Sequence, residues 1–415
     1  MRYLIYILIL HIPGILTAQH VDSWLDQNAV SIVTCNPDSQ IEDLKAVSRF
    51  IDKCQVIGLG ETSHGQGSFF EMKHRFFKYA VEELGYNVFA LEAGFAECFR
   101  INEYVLHGKG DAESALKYLN YGVWEIRELK DLIEYMRLYN TGHRHQVKFY
   151  GFDCQMAFGA IDYLLSIQDE INYFPNQDEE QLFIQLRQLQ QTRESKEAKL
   201  LQPSLTAWIA KLNALINQST QLDNADKLKA RIICRTLEQF CENEVSGTDE
   251  TRARFMAENV AHIMELEGAD TKIVLSAHNG HVFKAPKAKE FGHYLEREFG
   301  EKYYAVGFDF NRGKIQGFDF TDDEVHWKEY ELTPAKRNTL GDILLQCRKD
   351  YMFLDLRQAR NNSSLPKWFY KHQTCGDILG CYGQKGCNKR YWRINIAESY
   401  DAIMFFKQTE RANKI

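Results

Sequence analysis

The stretch Val56-Ile-Gly-Leu-Gly-Glu-Thr-Ser-His-Gly65 reads as a strand running into a tight polar turn punctuated by glycines. Val56, Ile57 and Leu59 make a short apolar run bounded by glycine, the pattern of a strand buried on both faces. Ser68 and Glu71 have capping-box spacing, and Phe69, Met72, Phe76, Phe77, Ala80 and Leu84 then recur at the period of a helix. Glu61 and His64 therefore fall between the C-terminal end of a strand and the N-terminal end of a helix, the edge of an open α/β sheet where ligands bind. A carboxylate beside an imidazole at that edge suits acid/base chemistry, because histidine titrates near neutrality and a neighbouring carboxylate fixes its tautomer.

Other strands predicted outward from this stretch also end in ionisable residues. Asn87–Glu92 and Gln146–Asp153 are buried strands ending in an acid, and Thr271–His278 carries His278 with His281 just beyond it. If these strands are parallel neighbours, Glu61, His64, Glu92, Asp153, His278 and His281 converge on one edge. Further strands are expected at Lys302–Asp309, Tyr351–Asp355 and Tyr400–Phe406. Helices are expected at Ile41–Ile51, Ala96–Leu106, Ala112–Leu119 and Trp124–Tyr139. From 158 to 266 the pattern is helical with no strand, broken near Pro203, at Asp223–Asp226 and at Ser246-Gly247. The expected fold is α/β, a largely parallel sheet flanked by helices in three layers. Residues 19–157 form the first part of the core, 158–266 a helical insertion or cap, and 267–415 the second part with C-terminal elements.

The 415 residues carry a net charge of −7, which offers nucleic acid no general attraction. Arg2, the apolar run Tyr3–Leu10 and Leu16-Thr-Ala-Gln19 match a signal peptide cleaved after Ala18, so residues 1–18 are read as a leader. The mature chain is then secreted or periplasmic, with no stable membrane span. No cysteine follows the apolar run, so a lipoprotein anchor is not indicated. Cys54, Cys98, Cys154 and Cys234 lie in apolar surroundings and read as core thiols. Cys375, Cys381 and Cys387 cluster in a polar segment where two could pair as a disulfide; the gaps do not suit a zinc knuckle. Asn217 and Asn361 each open an Asn-x-Ser sequon.

Three histidines and two glutamates also raise a metal site, since such ligands suit zinc or manganese. No His-Glu-x-x-His helix, Gly-x-Ser-x-Gly elbow or Walker loop is present. Lys73, His74 and Arg75 begin the helix after His64, where a cation could hold a carboxylate or an oxyanion. Lys73, Arg75 and Asp153 are accordingly the substrate-binding candidates.

Gly60–Gly65, Glu83-Leu-Gly-Tyr86, Phe89–Ala93, Tyr150–Asp153, Met256-Ala-Glu-Asn259 and Ala277–Val282, in that order, resemble the erythromycin esterase family. The resemblance implies an α/β core with helical additions, no required cofactor or metal, and hydrolysis of a small-molecule ester or lactone such as a macrolide. It further implies His64 as the base that activates water, Glu61 and Glu92 as supporting acids, and His278 and His281 as a pair across the cleft. Lys73 stands where the family usually has arginine, which removes the guanidinium fork, and Ala253 where it usually has aspartate. Two readings compete: a metal-dependent hydrolase or peptidase using the same His/Glu cluster, and a non-catalytic haem-binding module of the same fold.

Overall fold

The computed structural model describes residues 22–285, 287–321, 324–360, 373–377 and 390–415. The leader expected over 1–18, the sequon at Asn361, and Cys381 and Cys387 of the pairing expected among Cys375, Cys381 and Cys387 lie outside the described residues.

The strands are β1 (Val30–Ile32), β2 (Val56–Leu59), β3 (Val88–Gly94), β4 (Lys148–Asp153), β5 (Ile273–Ser276), β6 (Tyr303–Thr321), β7 (Glu324–Leu332), β8 (Tyr351–Asp355), β9 (Gln373–Asp377), β10 (Arg390–Ile394) and β11 (Ala402–Thr409). One sheet has the order β1-β8-β11-β6-β2-β5-β3-β4, with β7 paired to β6. From β11 to β4 every pairing is parallel. The antiparallel pairings are at β8, β1 and β7, and β9 with β10 makes a separate ribbon.

The α-helices after β1 are α1 (Lys45–Ile51), α2 (Gly67–Leu84), α3 (Phe99–His107), α4 (Ala112–Tyr118), α5 (Arg127–Gly142), α6 (Phe158–Ser166), α7 (Gln177–Thr192), α8 (Ser195–Gln218), α9 (Asn224–Ser246), α10 (Asp249–Glu267), α11 (Asn279–Val282), α12 (Phe291–Phe299), α13 (Leu340–Leu344), α14 (Arg357–Arg360) and α15 (Ile396–Ser399) among the described residues. Alternation along the strands sorts them into two layers. Val56, Val88, Ala90, Ile273, Leu275 and Ala305 share a core with Leu186, Trp208, Leu237 and Val260 of the helices between β4 and β5. Ile57, Leu59, Phe89, Leu91 and Val274 share the other with Phe69, Met72 and Phe76 of α2 and Leu132 and Met136 of α5. Burial on both faces explains why β2 and the Val88–Leu91 part of β3 are unbroken apolar runs. The registers Leu59↔Ser276 and Leu91↔Ser276 bring β2, β5 and β3 level at their C-terminal ends, so the polar residues beyond them share one edge.

Four details differ from the sequence reading. No capping box opens α2: Gln66 is its N-cap without a side-chain capping bond, Ser68 Oγ accepts from Glu410 N–H (2.8 Å), and Glu71 Oε2 accepts from the Cys35 thiol (3.2 Å). Chain segments packed onto the helix start have taken those groups. The helix expected from Trp124 begins at Arg127, and Trp124 ends a short 3-10 turn, Gly122–Trp124, with its ring buried. α8 continues through Pro203, with Ala198 buried before it and Leu205, Trp208, Ile209, Leu212 and Ile216 buried after it on one stripe. β6 continues well past Asp309 into a hairpin with β7. Gly85 and Gly247, both left-handed, close α2 and α9. Among the described residues, no helix is long and apolar enough to cross a membrane.

Candidate active site

The turn after β2 is shaped by what lies on it. A Cβ at Gly60 would stand 2.1 Å from Asn279 Oδ1, and one at Gly65 would stand 1.9 Å from Gln316 O, so both positions require glycine. Asn279 clamps the site's middle: its side chain exchanges two hydrogen bonds with the Phe308 backbone (2.7 and 2.9 Å), and its N–H donates to Glu61 O (2.8 Å).

On this turn His64 Nδ1 meets Glu61 Oε1 at 2.5 Å. The other Glu61 oxygen is bound by the Lys73 ammonium, which also donates to Ser276 Oγ (2.9 Å). Glu61 and Lys73 have no solvent exposure, while the His64 side chain is 26% exposed. Burial alone would raise the Glu61 pKa, but the Lys73 cation and then His64 outweigh it and hold the carboxyl below its ordinary value. An ionised Glu61 accepts a hydrogen bond from Nδ1–H and so leaves Nε2 as the basic nitrogen of the ring. Trp124 meets that ring edge-on at 4.7 Å, and the His278 ring lies 5.8 Å away.

His278 is oriented by its backbone. Gly280 N–H donates to Nδ1 (3.2 Å), so the ring proton sits on Nε2 and donates to Thr62 O (3.2 Å). His278 N–H donates to Glu92 Oε2 (2.9 Å).

Glu92 lies where the β3–β4 register shifts, between Leu91 and Gly94, an irregularity that turns its side chain to the edge. Its Oε1 receives Arg252 from α10 at 2.9 Å and His281 Nε2 at 3.1 Å. Arg252 also grips Asp153 with two bonds, 3.0 and 2.7 Å. Burial would raise Glu92, but His281 and Arg252 hold it well below the usual carboxylate range. Burial would lower His281, yet the Glu92 charge raises it to about 9, so it is an imidazolium at neutral pH. The 3.3 Å approach of Arg252 to His281 Nε2 is then two donors converging on one carboxylate. A small pocket of about 20 Å³ opens here, lined by Glu92, Asp153, Arg252, Tyr121, Trp124 and Met156 among others.

Glu61, His64, Glu92, Asp153, His278 and His281 are thus brought to one edge, as the strand pattern predicts. The two basic candidates need correction. Lys73 is buried beneath the turn, bound to Glu61 and Ser276 and flanked by the Phe70 and Phe308 rings, so it supports the acid and does not meet substrate. Arg75, two residues on, points away from Lys73 and pairs with Asp43 (2.5 Å) and Thr34 O (3.0 Å) in the N-terminal segment. Asp153 accepts from Arg252 and from the Cys154 N–H, both oxygens being taken. Sequence reading missed Arg252, Asn279 and Trp124. Arg252 stands one turn before Met256-Ala-Glu-Asn259 and beside the noted Ala253, which was the available signal.

The erythromycin esterase family profile matches residues 81–409. The chain belongs to the erythromycin esterase family. The matched span holds Glu92, Asp153, Arg252, His278 and His281, with Glu61 and His64 just before it. The chain is similar to erythromycin esterase type II of Escherichia coli, 22% identical over 323 residues that cover 69% of this chain and 76% of that protein. Its fold is that of a Bacillus cereus protein solved by crystallography (TM-score 0.82, 23% identity, 96% and 99% of the two chains covered). A variant of the erythromycin esterase EreC shares it too (TM-score 0.68, 16% identity, 93% and 98% covered). Membership in this family makes the chain a hydrolase.

Proposed function

We propose that the chain is an exported, metal-independent hydrolase of a small carboxylic ester or lactone, with His64 activating water. The observation that supports this most is the His64–Glu61 contact of 2.5 Å, with Glu61 held ionised over Lys73 and the ring a quarter exposed beside the pocket. His64 Nε2 takes a proton from water as its oxygen bonds to the ester carbonyl carbon, and the carbonyl π pair moves to oxygen. Collapse breaks the carbon–alkoxy bond, and the proton on His64 passes to the leaving alkoxide, so no covalent enzyme intermediate forms. The Arg252 guanidinium, which lines the pocket, and the His281 imidazolium, which shares Glu92 with it, are cations placed to serve the oxyanion.

The donor set gives a metal-dependent reading little support. His64 Nδ1 faces Glu61, and His281 Nε2 faces Glu92 beside the Arg252 guanidinium, which repels a cation. Among the described residues, no three His, Cys, Asp or Glu side chains are arranged to hold a metal ion. No observation favours haem binding. The expected leader motivates the export proposal, which N-terminal sequencing of the mature protein checks. The reaction is tested by an ester and macrolide-lactone hydrolysis screen with and without chelator. Turnover indifferent to chelator is the expected result; turnover lost to chelator and restored by zinc or manganese contradicts it.

A further inference from the structure

The segment that follows β11, Glu410–Ile415, is stitched to two pieces of the site at once. On one side Gly65 O, next to His64, accepts Ala412 N–H (2.8 Å) as well as Gln316 N–H (2.8 Å), and Gln66 bridges Arg411. On the other, Arg127 N–H donates to Asn413 O (2.7 Å), Ile415 N–H donates to Glu125 O (3.2 Å), and Asn413 Nδ2 donates to Glu128 (2.6 Å). The family match ends at Thr409, one residue before this segment.

Lys414 is the side chain that reaches the pocket wall. Its ammonium donates to Gly122 O (2.5 Å), stands 4.2 Å from the centre of the Trp327 ring on β7, and lies 3.6 Å from the Glu125 carboxylate. Gly122 sits between Tyr121 and Trp124, both of which line the pocket, and Trp124 touches the His64 ring. A single 3-10 turn such as Gly122–Trp124 has little stability of its own, because it fixes several dihedrals for one or two hydrogen bonds. Its rings therefore stay where outside contacts hold them, and a charge-assisted bond to the Gly122 carbonyl is among the stronger such contacts.

We propose that Lys414 is a positioning residue for substrate specificity: through the Gly122 carbonyl it fixes the Tyr121/Trp124 wall against the part of the ester that lies at the pocket mouth. The ligand held there has a flat or apolar face. The Glu92, Asp153 and Arg252 charges at the pocket are already paired with one another and leave none unmatched for an ionic group. This role rests on the ester-hydrolase reading above.

The test uses the full chain, its Lys414→Ala and Lys414→Arg variants, and two neutral esters that differ only in a small or a bulky aryl group. In Lys414→Ala, KM for the bulky ester rises about tenfold, more than KM for the small one and more than kcat falls. Lys414→Arg restores it, since arginine also donates to a carbonyl. Without any substrate, amide exchange at residues 121–126 quickens in Lys414→Ala and not in Lys414→Arg. Equal effects on both esters overturn the specificity role, and unchanged exchange overturns the positioning. A wild-type chain that turns over no ester overturns the hydrolase reading and the specificity role with it, and exchange alone then decides whether Lys414 holds the wall.

Discussion

The Glu61–His64 pair and the Glu92–Arg252–His281 cluster draw on the same residue types at the same sheet edge, and they are built in opposite ways. The first is local: acid and base are three residues apart on one turn, and Lys73 is on the helix that follows. The second is assembled from far-apart pieces of chain, Glu92 from β3, Asp153 from β4, Arg252 from α10 and His281 from beyond β5. Their electrostatics differ too. At the turn one acid faces one cation, and the ring that leans on it is poised to accept a proton. In the cluster Glu92 is held well below the usual carboxylate range and His281 is raised to about 9, so both keep their charges near neutral pH and the group is suited to holding position and stabilising charge. Proton transfer belongs to the first, field and alignment to the second.

Variants can break or sharpen this contrast, taken here from the largest expected effect on turnover to the smallest. Glu61→Gln removes the charge that fixes the His64 tautomer, and kcat/KM for the best ester should fall about a thousandfold while circular dichroism shows an unchanged fold. Arg252→Ala leaves Glu92 and Asp153 buried with too few partners. Denaturant unfolding should show a loss of about 3–5 kcal/mol, and turnover should drop about a hundredfold through misalignment. If Arg252→Ala costs activity and no stability, the cluster is not the charge network described.

The pH dependence separates the two regions further. His281 has its pKa raised from 6.5 to about 9 in the fold, so its contribution to stability is full below about 6.5 and is lost as pH rises through about 9. Glu92, depressed from 4.5, contributes above about 4.5 and loses that contribution as pH falls through its lower folded value. Thermal unfolding and kcat/KM should therefore both decline on the alkaline side near pH 9, and His281→Ala should abolish that decline in stability; an unaltered alkaline limb would show that another group sets it. Arg75→Ala comes last. Arg75 faces Asp43 and not the cleft, so kcat/KM should stay within about twofold while the melting temperature falls, a change typical of losing one buried partner.

The same local-versus-distant difference decides what was legible in the sequence. β2, β3, β4 and β5 could be read because both faces of each are buried, which leaves continuous apolar runs, and their level ends explain why Glu61, His64, Glu92, His278 and His281 meet. Arg252 escaped because it sits in a long polar helix where an arginine is unremarkable until α10 packs against β4. Trp124 was read as a helix start because its apolar spacing continues into α5, whereas its ring serves His64. Arg75 was misplaced for a related reason: consecutive basic residues on a helix point to different sides, and only tertiary packing shows which one faces the site. The β6–β7 hairpin went unseen because its half-exposed, charged strand β7 lacks the buried pattern that marked the core.

The central claim is that His64 is the base. It is tested most directly by the rate of ester hydrolysis of His64→Ala beside the wild-type chain, with matched melting temperatures as proof of folding. Removal of the imidazole should reduce kcat/KM by about a thousandfold or more at neutral pH. A folded His64→Ala protein that hydrolyses the same ester within tenfold of the wild-type rate would contradict it.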